Sequence, residues 1–123
     1  MSSFTTILVF LDGYRLPSDV SWMKEDSRVY TFDEWIIIRD YEEFVSYIDT
    51  IGVPRVISFG YNLLSKDKTG YNCAEYLIEY CSRYDLMPPV QLCHSTNKKG
   101  KKEINILWDK FIDILFKHNQ PIY

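Results

Sequence analysis

Arg55-Val56-Ile57-Ser58-Phe59-Gly60-Tyr61-Asn62-Leu63-Leu64 is the stretch on which the fold turns. Residues 56–59 form a short apolar run between turn signals, the pattern of a strand buried on both faces at the centre of a parallel sheet. The loop after such a strand is where an α/β protein places its chemistry. Here that loop offers Gly60, Tyr61 and Asn62, with no acid, no histidine and no nucleophile stronger than a phenol.

Upstream, residues 36–38 are three consecutive isoleucines, suited to a second buried strand. Asp40 and Glu43 then read as a capping box, and Tyr41, Phe44, Val45 and Ile48 recur at helical spacing until Gly52 and Pro54. Earlier still, the β-branched run at residues 7–11 ends in Asp12-Gly13-Tyr14-Arg15-Leu16-Pro17 and is a first strand. Residues 18–34 are irregular and aromatic, with a short strand expected near residues 29–32. Downstream, Asn72 and Glu75 give a capping pattern for a helix carrying Ala74, Leu77, Ile78 and Cys81 on one face. Residues 90–93 are a fourth strand, followed by His94-Ser95-Thr96-Asn97 and a lysine run read as a solvated loop. The last helix has an apolar stripe of Ile104, Leu107, Trp108, Phe111, Ile112 and Leu115.

This alternation predicts a three-layer α/β sandwich with a small, mostly parallel sheet of about four strands, in the order 2-1-3-4. It also predicts one domain over residues 1–123, a length able to bury roughly two-thirds of the unfolded chain's surface. A net charge of -3 argues against a protein that wraps nucleic acid, while leaving room for one basic patch. Cys73, Cys81 and Cys93 make an odd count without a Cys-x-x-Cys, and His94 and His118 complete no zinc pattern. Buried reduced thiols in a cytoplasmic protein follow as the expectation. No apolar run approaches the ~20 residues of a membrane span.

In the 2-1-3-4 order, the ends of strands one and three meet where the winding reverses. Asp12 and Arg15, then Gly60 to Asn62, then His94 to Asn97, should converge there. At these loops the sequence resembles the compact receiver-like (flavodoxin-like) domains held to process cyclic phosphates, found in bacteria and phages. That family shows Asp-Asp-x-Arg-x-Pro, Ser-Phe-Asp-His-Asp-Leu-Gly, Thr-Gly-Tyr and His-Ser-x-Asn-Pro-x-Gly. This chain carries residues 12–17, 58–64, Thr69-Gly70-Tyr71 and 94–100 in the same order. The family's second acid is Gly13 here, its central acid Gly60, its histidine Tyr61 and its next acid Asn62.

The resemblance therefore implies the fold with the catalytic acids missing. Magnesium needs hard oxygen ligands, normally one or two carboxylates, so no cofactor and no Mg2+ site is expected around Asp12 alone. Without an acid at position 60 there is also no acceptor for an aspartyl phosphate. His94, Asp12 and Arg15 remain candidates for residual acid–base chemistry. Ser95, Thr96, Asn97, Lys98 and Lys99 are candidates for binding a phosphate, nucleotide or RNA end. Ser-His-Asp chemistry is not expected, since neighbouring Ser95 and His94 point apart on an extended segment. The leading expectation is a pseudo-receiver that is not an enzyme: a protein-interaction module, of the kind a phage accessory factor would use to meet a host protein in the host cytoplasm. Tyr14, Trp22, Tyr61, Asn62 and Tyr71 would form its contact surface.

Overall fold

The computed structural model describes residues 7–20, 27–31 and 34–119. Four parallel strands, β1 (Leu8–Leu11), β2 (Trp35–Ile38), β3 (Val56–Phe59) and β4 (Val90–Cys93), form one sheet in the order β2-β1-β3-β4. Leu11 registers with Ile38 on one side and with Phe59 on the other, and Phe59 registers in turn with Cys93. The strands thus end level with one another. Every residue of β1 is buried, as a central strand requires, whereas Ile36 of β2 is exposed because β2 is an edge. The isoleucine run looked wholly buried; position in the sheet decides otherwise.

Two crossovers turn rightward onto one face, bringing α1 (Tyr41–Thr50) and α2 (Gly70–Tyr84) there, and α3 (Lys98–Asn119) joins them. Phe44 and Ile48 of α1, Leu77 of α2 and Ile104 of α3 meet Val9, Leu11, Ile57 and Phe59 in the main core. Each such fully buried side chain stabilises the fold by about 1.5–3 kcal/mol. The first crossover runs the other way and covers the opposite face with two short 3-10 turns, Pro17–Val20 and Ser27–Thr31. The strand expected near residues 29–32 is therefore a 3-10 turn over the described part, with Phe32 outside the described residues. Its aromatic serves packing: Tyr30 stacks on Trp35 of β2, whose indole N–H donates to the carbonyl of Val29. The third layer is thin.

Helix starts follow local chemistry, with three revisions. Asp40 caps α1 by accepting the Glu43 N–H at 2.7 Å, while the Glu43 carboxylate reaches the N–H of Arg39 rather than that of Asp40. α2 starts three residues earlier than the Asn72–Glu75 pattern suggested, because Asn72 is the third helical residue and its Oδ1 accepts the N–H of the cap, Thr69. The lysine run is no loop. It forms the first turn of α3, whose cap Asn97 accepts the Gly100 N–H at 2.9 Å.

Candidate functional site

Strand register lays out the site. One residue past the level Leu11–Phe59–Cys93, three neighbouring strand ends place Asp12, Gly60 and His94 in a row. Because side chains alternate along a strand, these three share a face with Phe10 and Ser58. Gly60 occupies the middle of the row without a side chain, and the flanking side chains meet across it: His94 Nε2 lies 2.9 Å from Asp12 Oδ2. A Cβ at position 60 would sit 2.9 Å from that carboxylate oxygen and 3.0 Å from that ring nitrogen. The space of the missing side chain holds the Asp12–His94 bond.

The bond continues into the core. His94 Nδ1 is 2.7 Å from Ser58 Oγ, and Ser58 Oγ is 2.7 Å from the Tyr30 hydroxyl on the far-face 3-10 turn. The imidazole has no exposed surface and stacks on Phe10 at 4.1 Å between centroids. Burial pushes its pKa down, and the hydrogen bond and charge of Asp12 oppose that incompletely, so His94 is neutral at pH 7. The direction of the chain is then fixed: Tyr30 donates to Ser58, Ser58 to Nδ1, and Nε2–H to Asp12. Burial also acts to raise the Asp12 carboxyl, but hydrogen bonds from His94 and from the N–H groups of Tyr14 and Arg15 outweigh it, holding it below its ordinary value. Asp12 stays a carboxylate.

A Ser–His–Asp constellation thus exists, and sequence reasoning overlooked it by weighing Ser95 rather than Ser58. Ser58 is fully buried and lies between Tyr30 and His94, so a substrate carbonyl has no path to its oxygen. A signal was there: Ser58 and His94 lie one pleat apart on adjoining strands, on the same face.

Above the row lies a cleft of about 130 Å3 lined by Asp12, Tyr14, Arg15, Tyr61, Asn62, Ser95 and Thr96. Convergence of the three loops was foreseen. Within the cleft the Arg15 guanidinium donates to Thr96 Oγ1 at 2.8 Å, and only its backbone N–H reaches Asp12. Ser95 Oγ accepts the Asn97 N–H, so both residues act as local caps. Lys98 and Lys99 are exposed beside the cleft rather than in its lining. Tyr14 is 70% exposed at the rim and Asn62 is exposed, whereas the half-buried Tyr61 ring lies flat on Gly100. A Cβ at position 100 would stand 2.3 Å from that ring, so α3 needs glycine where Tyr61 crosses it. Tyr71 packs against the main core, and Trp22 lies outside the described residues.

Residues 7–110 match the sequence model of a family described as the Cyclic-phosphate processing Receiver domain. The chain belongs to this family. No curated protein and no solved structure matched it. Within this receiver domain a second residue missed by sequence reasoning, besides Ser58, is Arg39, which follows β2 and donates from Nη1 to the carbonyls of Asp12 and Arg15 at 3.0 and 2.6 Å. It fastens the first loop. A cation directly after an edge strand, beside the first loop in the 2-1-3-4 order, was the available sign. Elsewhere, Cys73, Cys81 and Cys93 are buried free thiols; burial pushes Cys81 up to about 11 and also raises Cys73 and Cys93. Among the described residues, no helix is long and apolar enough to cross a membrane, and no group of three His, Cys, Asp or Glu side chains is placed to hold a metal ion.

Proposed function

We propose that this receiver domain is a catalytically inactive family member that works as a protein-interaction module, with the rim of the cleft as its contact surface. The observation that carries the reading is the closed row Asp12–Gly60–His94. A general acid or base must reach the proton it moves, and His94 has both ring nitrogens engaged under full burial. A divalent cation fits poorly for the same reason. Asp12 Oδ1 already accepts two backbone N–H groups and Oδ2 faces His94, while neither Gly60 nor Asn62 brings a second carboxylate. Exposed Tyr14 and Asn62 at the rim are suited to contact, since interface centres favour aromatics and shed acids. In a phage setting the partner would be a host protein.

Affinity capture from bacterial lysate, with and without nuclease, tests this. A stoichiometric protein that survives nuclease, and is lost with Tyr14→Ala, is the expected result. Capture unchanged by Tyr14→Ala would remove the rim from the reading, and hydrolysis of a 2′,3′-cyclic phosphate that disappears in His94→Ala would overturn it. Arg15 bonded to Thr96 beside the lysine-bearing start of α3 supports a second reading, a phosphate-ended nucleotide or RNA held at Ser95, Thr96 and Asn97. The Asp12 carboxylate among the cleft residues weighs against it, because like charges repel at short range. Its signature is an affinity that falls with salt and with Lys98→Gln and Lys99→Gln.

A further inference from the structure

At 22 residues α3 is about 33 Å long, far more than a four-residue strand needs for cover. Its later turns leave the sheet behind and, with the end of α2 and the turn after it, frame a groove of about 610 Å3. Ile78, Leu86, Leu107, Phe111, Ile114 and Leu115 line it. Ile114 is 55% exposed and Leu86 41%, with Met87 and Phe116 more exposed still on either side. From residue 111 to residue 116 every side chain but Asp113 is apolar, so the helix has an apolar surface on nearly all sides. A solvated helix end keeps one polar face; one apolar nearly all round is built to be covered. The groove lies more than two helical turns along α3 from the cleft, so it is independent of the function proposed there.

The charges around the groove decide between occupants. Asp85 and Lys110 are part of its lining and stand on opposite walls, and along exposed α3 the signs run Asp109, Lys110, Asp113, Lys117. A foreign acidic or basic helix calls for a rim of one sign. A two-fold contact between identical surfaces instead requires each copy to carry both signs, so that each charge meets its opposite across the axis. We propose that this groove is the contact between two copies of the chain, packed antiparallel with Ile114 near the two-fold axis and each Lys110 facing the partner's Asp85.

Sedimentation equilibrium of the full chain from micromolar to submillimolar concentration tests it. The wild type is expected to dimerise, and Ile114→Asp to sediment as a monomer with an unchanged circular dichroism spectrum. Lys110→Asp and Asp85→Lys should each weaken the dimer at least tenfold, and the double variant should recover most of that loss. Both sites are exposed, but Asp85 caps α2 in the left-handed region, where lysine is less favourable, so each single variant must also keep the parent's circular dichroism spectrum. A wild type that is monomeric at every concentration overturns the proposal and leaves the groove to a foreign helix or to chain outside the described residues. So does a dimer indifferent to Ile114→Asp, or charge variants whose effects simply add.

Discussion

Adding one methyl group at position 60 should unseat the buried row, and the structure sets the size of the effect. In Gly60→Ala the new Cβ would stand 2.7 Å from the Leu11 carbonyl, 2.9 Å from Asp12 Oδ2 and 3.0 Å from His94 Nε2. The first neighbour is backbone and the other two are locked in a buried bond, so none can yield freely. Overpacking of this kind costs about 1–3 kcal/mol. Loss of a hydrogen bond to a charged group costs about 1.5–3 kcal/mol. Against this, Gly60 has no positive φ, so alanine gains about 0.4–1 kcal/mol by restricting the unfolded chain. The net expectation is about 2–4 kcal/mol of destabilisation, on the order of a 10 °C fall in Tm for a domain of this size. Urea unfolding followed by the fluorescence of buried Trp35 and Trp108 measures it. The sharper test is a cycle with His94→Ala: with the imidazole gone, the methyl gains room, and the double variant should fall short of additivity by at least ~1 kcal/mol. A Gly60→Ala protein within ~0.5 kcal/mol of the parent, or costs that add, would refute the account of the glycine.

Acid should weaken the fold in two stages, because His94 and Asp12 both bind fewer protons folded than unfolded. The His94 contribution is complete above its ordinary value of 6.5 and is lost as pH falls through its lower folded value; that of Asp12 is complete above 3.8 and lost below. Urea midpoints from pH 8 to 4 should therefore decline below pH 6.5, and a profile flat from pH 7 to 5 contradicts a neutral buried imidazole. Ser58→Ala, which leaves His94 Nδ1 without its donor, should cost about 1–3 kcal/mol by the same measurement, and a neutral result denies the chain. Arg39→Met should raise amide exchange selectively at residues 12–16, where two carbonyls lose their donor, and unchanged protection there would remove Arg39 from the loop's support. Thiol titration of the native protein at pH 8 should show three cysteines reacting only as fast as the chain opens; one rapid thiol refutes their burial.

The sheet was legible because each strand carries its own apolar signal and its order, 2-1-3-4, is that of a doubly wound sheet of flavodoxin type. Convergence of the three loops at the strand ends followed from that order. What sequence reasoning could not rank was partnership. Asp12 has Arg15 three residues away and His94 far along the chain, and strand register chooses the distant one because the two ends stand on either side of a bare glycine. Tyr61 reads as an exposed anchor until the close passage of α3 at Gly100 is known. The 3-10 turn at Ser27–Thr31 reads as a strand because Val29 and Tyr30 are strand-forming residues, yet Tyr30 reaches Phe10 and Ser58 from a turn. Apolar and aromatic residues record burial, and burial does not name the backbone that achieves it.

Glycine at position 60 and the Asp12–His94 bond are one feature. An acid at position 60 and the bond across that position compete for the same few cubic ångströms, so the molecule can hold either but not both. Restoring the acid alone, Gly60→Asp, would place a second carboxylate against a filled row and part the Asp12 carboxylate from its imidazole, leaving each short of a partner inside the protein. The substitution should therefore unfold the domain before it binds any cation, with magnesium at millimolar concentration failing to raise its Tm. A Gly60→Asp protein that keeps its stability and gains several degrees on addition of magnesium would show instead that the row opens readily, and the inactive reading of this receiver domain would fall with it.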